Sequence, residues 1–148
     1  MNAPLPYRLV LDTNVVLDLL HFQDDTVLPI RRAIEARRAQ CYASPGTLTE
    51  LNRVLSYPAF QLTMTARTAL MTQYQAWTHL ASHGAAHKKL PRCADPDDQI
   101  FLELADAVTA DFLISKDKAV LALKRSVMGF KILTPVEAAH IVVNVKGG

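Results

Sequence analysis

Two short apolar runs, each followed at once or nearly so by an aspartate, constrain this chain more than any other feature. Tyr7-Arg8-Leu9-Val10-Leu11 leads directly into Asp12, and Phe112-Leu113-Ile114-Ser115 is followed by Lys116 and Asp117. Runs of this length are too short for a buried helix. They lack the strict alternation of a strand with one wet face, so they fit strands covered on both sides, as in a parallel sheet. Parallel neighbours cannot be joined by a hairpin and need a crossover, usually a helix.

Helical segments occupy the intervening stretches. Residues 15–20 read as one or two helical turns, and residues 27–38 as a helix with Val27, Ile30 and Ile34 on one side and arginines on the other. Cys41-Tyr42-Ala43 reads as a brief strand. Ser44-Pro45 then opens a helix, Ser as cap and Pro at the first helical position, with Leu48, Leu51 and Leu55 as its stripe. Residues 65–82 predict the longest helix, closed by Gly84. Asp95-Pro96 starts another, reaching about Val108. Residues 118–124 are helical, 130–133 form a last strand, and Thr134-Pro135-Val136-Glu137 is a capping box. Residues 83–92 carry little β-forming sequence and read as a loop or a poor edge strand. The alternation predicts an α/β fold, three layers (α/β/α) around a central, mostly parallel sheet.

Composition narrows the function classes. At 148 residues the expectation is one domain, spanning 1–148, with a core large enough for a stable fold. Half the residues are hydrophobic, which argues against disorder, yet no apolar run approaches membrane-spanning length. Residues 1–6 lack a charged stretch followed by an apolar one, so the expectation is a cytoplasmic protein with no membrane partner. Cys41 and Cys93 read as reduced thiols. The net charge of +2, from 16 Lys+Arg against 14 Asp+Glu, does not mark a nucleic-acid binder by itself. Gathering several carboxylates in one pocket would leave the rest of the surface more basic. The pairs Arg31/Arg32, Arg37/Arg38, Lys88/Lys89 and Lys124/Arg125 could then contact a phosphate backbone, or merely solubilise the surface.

Ligands of open α/β sheets bind beyond the carboxyl ends of the strands. Asp12 and Asp117 lie at such ends, and Glu50 and Asp98 sit on helices expected to start from the same edge. Four carboxylates brought together repel, and a hard divalent cation is the commonest reason for them to converge. Duller roles are open to each: Asp12 as a helix cap, Glu50 as a salt-bridged surface residue, Asp95 as an N-cap, Asp117 as a turn residue. The phosphate-cradling glycine motifs and the Gly-x-Ser-x-Gly nucleophile elbow are absent. An aspartyl phosphatase of the haloacid-dehalogenase type would need an acid where Asn14 stands, and a phosphate-accepting receiver module would need a paired acid after the first strand. His79, His83 and His87 recur every four residues, but histidines in a last helical turn complement the helix dipole without any metal.

Taken together, these residues resemble the PIN-domain family of metal-dependent nucleases over nearly the whole chain. Leu9-Val10-Leu11-Asp12-Thr13-Asn14-Val15 is similar to the family's opening strand and Asp-Thr-Asn motif, and Thr49-Glu50-Leu51 to its helical acid. Asp95-Pro96-Asp97-Asp98, running on through Gln99-Ile100-Phe101-Leu102-Glu103-Leu104-Ala105, resembles the third motif, and Ile114-Ser115-Lys116-Asp117 the fourth. The Asp-Pro-Asp-Asp form resembles a bacterial (VapC-like) subgroup described as toxins of toxin–antitoxin pairs. The resemblance implies an endoribonuclease that uses Mg²⁺ or Mn²⁺, with RNA as substrate, a cognate antitoxin protein as partner, and a homodimeric state. It implies Asp12 and Asp98 as primary metal ligands, Glu50 and Asp117 completing the catalytic pocket, and Asn14 and Ser115 holding carboxylates by hydrogen bonds. A helix wheel puts Asp97 nearer the Ile100/Leu104 stripe, whereas spacing to Ala105 and Asp117 favours Asp98. Loss of an acid would have pointed instead to a non-catalytic PIN-like scaffold that binds RNA or protein.

Overall fold

The computed structural model describes residues 4–81 and 89–147. Strand β1 (Tyr7–Leu11) is central and passes into helix α1 (Thr13–Leu17), which relaxes into a π-helical turn over Asp18–Phe22. A 3₁₀ turn at Asp25–Val27 leads into α2 (Leu28–Glu35), then come β2 (Ala39–Ala43), α3 (Pro45–Leu55) and α4 (Met64–Trp77). Strand β3 (Thr78–Leu80) follows, and after it the 3₁₀ turn Pro96–Asp98 feeds α5 (Gln99–Ala107). The chain closes with β4 (Phe112–Ile114), α6 (Lys118–Leu121), β5 (Lys131–Leu133) and α7 (Pro135–Val142). All strand pairs are parallel, in the order β3-β2-β1-β4-β5.

Both faces of β1 are dry, which explains its continuous apolar run. Leu9 and Leu11 face one core together with Ile30, Leu51, Leu55 and Val142. Val10 faces the other, with Leu113, Ile132, Phe101, Leu102 and Val120. The first core lies beneath the helices from both ends of the chain, and the second beneath α5 and α6. The three layers are therefore α/β/α, as the alternation of apolar runs and helical patterns predicts.

Local chemistry fixes most helix starts. Ser44 accepts from the Thr47 N–H at 3.2 Å and Thr47 answers to the Ser44 N–H at 2.9 Å, a reciprocal cap with Pro45 in the first turn. Thr134 and Glu137 make the same reciprocal arrangement at α7. The longest predicted helix departs from expectation. It is capped by Thr63 and ends at Trp77, and Thr78-His79-Leu80 pairs in parallel with Cys41-Tyr42-Ala43 as the edge strand. Helical periodicity continues through these residues, but pairing with β2 gives their backbone groups partners that a frayed last turn could not. His79 thus lies on a strand, its ring 5.4 Å from that of Tyr42, and not on a helix face. Gly84, His83, His87 and most of the 83–92 stretch lie outside the described residues.

Along the sheet the chain first moves outward from β1 to β2 and β3, then returns to the other side of β1 with β4 and β5. The direction reverses between β1 and β4, and the crevice beyond their carboxyl ends is where such sheets bind ligands. Asp12 and Asp117 flank that crevice.

Candidate metal centre at the sheet switch point

Asp12 is nearly buried and stays on the ladder, its N–H donating to the Ile114 carbonyl at 3.1 Å. One of its carboxylate oxygens accepts from the Val15 N–H at 3.1 Å, capping α1, and the other accepts from the Ser115 hydroxyl. Ser115 is wholly buried, and its Oγ also accepts the Asp117 N–H at 3.0 Å. A single hydroxyl therefore locks the ends of β1 and β4 together and orients both aspartates. Asp117 in turn caps α6, accepting from the Ala119 N–H at 2.8 Å. Capping and clustering coexist here: the geometry of a helix start holds each carboxylate at the crevice.

The third contribution arrives from the turn before α5. Asp95 accepts from the Asp97 N–H at 3.0 Å and caps the 3₁₀ turn. Gln99, buried behind it, clamps the preceding loop by accepting from the Cys93 N–H at 2.7 Å and donating to the Pro91 carbonyl at 3.1 Å. The result is that Asp95, Asp98 and Asp117 each present a carboxylate oxygen within 4.8 Å of the others. Asp98, not Asp97, enters this cluster. Asp97 is largely exposed and lies 3.8 Å from Arg53.

The electrostatics are those of carboxylates held close together. Burial, then Asp117 and Asp95, push the Asp98 carboxyl up to about 7. Asp12 is also raised, by burial above all, while the bonds from Ser115 and Val15 oppose the shift. One oxygen of Asp98 is buried and receives no hydrogen bond. The carboxylates clustered with it, Asp95 and Asp117, accept only, so neither can satisfy it unless a proton is shared. A hard divalent cation fits this donor set: all ligand atoms are oxygens, and the orphaned oxygen belongs to one of the clustered carboxylates.

The remaining predicted residues lie around this centre. Glu50, on α3, is gripped by Arg53 through both oxygens, at 2.6 and 3.1 Å, and is not one of the three clustered carboxylates. Asn14 is exposed on α1, and the hydrogen bonds of the described residues include none from its side chain to a carboxylate. Two features escaped the sequence reading. Buried Asp18 pairs with Lys116 at 2.5 Å, tying the β4–α6 loop to the π-helical turn; no pattern relates residues so far apart. Arg53 stands three residues after Glu50, a spacing that does signal a helical ion pair. Of the basic pairs, Arg31 lies over the Trp77 ring at 5.2 Å and Lys124 bonds Glu137 at 2.5 Å, so both have structural work. Cys41 and Cys93 are free and buried.

No curated protein matches this sequence. In its fold the chain is similar to a chain of the VapBC2 complex of Rickettsia felis, a structure described as bound to a DNA fragment from their promoter. The likeness has a TM-score of 0.61 at 13% identity and covers 86% of this chain and 98% of the other. The sequence pattern of the PIN domain matches residues 8–119, a span that runs from β1 into α6 and contains every clustered acid. With that match over most of its length, on this sheet order and with these carboxylates at the switch point, the chain belongs to the PIN domain family.

Proposed function

We propose that this protein is a metal-dependent endoribonuclease and the toxin of a toxin–antitoxin pair. The observation that carries the reading is the orphaned, buried Asp98 oxygen among the Asp95, Asp98 and Asp117 carboxylates at the sheet's switch point. Membership of a family whose domains are generally nucleases supports it. Likeness of fold to a VapBC2 chain supports the toxin role and an antitoxin partner.

Asp98 and Asp117 would hold Mg²⁺ or Mn²⁺, with Asp95 and Asp12 beside them and Glu50 closing the α3 side. When bound, such a cation lowers the pKa of water and neutralises charge growing on the phosphate. The chain's own residues prepare that site. Ser115 orients Asp12 and, through the Asp117 N–H, fixes the second strand end. Gln99 holds the loop from which Asp95 and Asp98 project. Ionised Asp98 is the form that can bind a cation, and its raised pKa means that protons compete with metal near neutral pH.

The test is cleavage of single-stranded RNA by purified protein. Cutting should require Mg²⁺ or Mn²⁺, cease in EDTA and be lost in Asp12→Asn. Cleavage that persists both in chelator and in Asp12→Asn would sink the mechanism.

A further inference from the structure

Arg53 stands beside the turn that carries Asp98, 3.8 Å from the Asp97 carboxylate, and its surroundings suit a nucleotide. Its Nε and Nη2 donate to Glu50 at 3.1 and 2.6 Å, and its Nη1 donates to the Tyr57 hydroxyl at 2.5 Å. These bonds use three of the five N–H groups that a guanidinium carries. Among the described residues the remaining two have no hydrogen-bond partner: the Asp97 carboxylate, at 3.8 Å, is an ion-pair neighbour only. The Arg53 side chain is 48% exposed. The Tyr57 ring lies beside the guanidinium, 5.6 Å from its carbon, and is 40% exposed. Phe22, more than half exposed, belongs to a neighbouring aromatic group with His21 and Phe60.

A planar cation with free N–H groups is suited to a phosphate, and an exposed ring beside it to an unstacked base. Glu50 grips the guanidinium from the side, fixing its orientation as a carboxylate partner does in a preorganised anion site. The charge balance agrees. The field of the clustered carboxylates discourages a phosphate; a divalent cation among them would offset that field and leave Arg53 available to one.

We infer that Arg53 and Tyr57 form a substrate subsite of this centre, Arg53 binding an RNA phosphate next to the scissile one and Tyr57 stacking on the adjoining base, with Glu50 acting as the positioning residue for Arg53. This rests on the ribonuclease reading above. It assigns Glu50 a task executed through the guanidinium and distinct from direct ligation of the metal.

The experiment is binding of a fluorescent single-stranded RNA of about twelve nucleotides, a length within known single-strand site sizes. It is followed by anisotropy in Mg²⁺ on the full chain carrying Asp12→Asn to prevent cutting. One lost phosphate contact should flatten the slope of log K against log salt by about 0.7 in Arg53→Gln, while Arg53→Lys retains most of that slope. Tyr57→Ala should weaken binding roughly fivefold or more with the salt slope unchanged, and Tyr57→Phe should bind nearly as the parent does. Mn²⁺-induced thermal stabilisation of Arg53→Gln, otherwise wild type, should equal that of the parent. An unchanged salt slope in Arg53→Gln together with unchanged affinity in Tyr57→Ala overturns the subsite, whatever those variants do to binding of a protein partner. A loss of Mn²⁺ stabilisation in Arg53→Gln would show that Arg53 serves the metal site and would overturn the inference equally. If the wild-type protein cuts RNA while these variants behave as the parent, the subsite alone fails. If the wild type neither binds nor cuts RNA, both readings fail.

Discussion

At the scale of single residues, Asp98 separates chemistry from folding. Its carboxyl is raised to about 7 in the folded protein against an ordinary value of 3.8, so between those pH values the native state holds more protons than the unfolded chain. Stability then falls as pH rises through this window. In EDTA the wild type should lose stability relative to Asp98→Asn between about pH 4 and 7, by on the order of 1 kcal/mol once partial exposure is allowed for. Thermal melts of both proteins across that range would check it; parallel curves would mean that the site does not strain Asp98. Above pH 7, Mg²⁺ should raise the wild-type midpoint more than that of the mutant, because only binding to the folded state stabilises it. Ser115 is the complementary case. Ser115→Ala removes the hydroxyl that serves Asp12 and the Asp117 N–H at once. The expected cost is about 1–3 kcal/mol for the buried groups left unpaired, with loss of metal-stimulated cleavage. Denaturant titration and an RNA assay on the same preparation would measure both.

At the scale of elements, helix starts place the chemistry. Asp12 and Asp117 cap α1 and α6, and the Ser44/Thr47 box starts α3, the helix that carries Glu50 and Arg53. Ser44→Ala should cost about 1 kcal/mol, measured by denaturant unfolding, and leave Mg²⁺ affinity near that of the parent, since the clustered acids lie on other elements. The strands answer differently. Leu113 is fully buried between β1 and β5, so Leu113→Ala should cost about 2–5 kcal/mol by opening a cavity in the second core. These elements were readable because their signals are local: a Ser-Pro start, a Thr-Pro-x-Glu box, an apolar run of four or five residues. The end of α4 was not. Thr78 to Leu80 continue an acceptable helical pattern, and only the neighbouring β2 decides that they are a strand.

At the scale of the molecule, gathering carboxylates in one pocket of a protein with net charge +2 leaves the rest more basic than that total, which would favour RNA under the proposed function. Among the described residues no helix is long and apolar enough to cross a membrane. If the protein is a toxin, expressing it alone should arrest growth, and a cognate antitoxin should relieve the arrest by covering the acidic pocket, most simply with an Arg or Lys against the carboxylates. A soluble, RNA-cleaving protein without any growth effect would keep the nuclease and remove the toxin. Homodimerisation, expected from the family resemblance, is open to light scattering on the purified chain, where a mass of one protomer at working concentration would reject it.

Sequence alone determined the α/β class and put forward the candidate acids Asp12, Glu50, Asp98 and Asp117, because strand burial and helix capping leave local marks to which each acid can be referred. It could not say what Glu50, three residues before Arg53, holds. Tertiary structure decided the rest. It brought Asp95, still capping its turn, together with Asp98 and Asp117 while Asp97 stayed outside, and set Arg53 between Glu50 and Tyr57. It also brought Lys116 to Asp18 and Gln99 to the loop behind the site. Those outcomes depend on which side chains meet across the switch point after the sheet has formed, and periodicity along one segment carries no information about what packs opposite it.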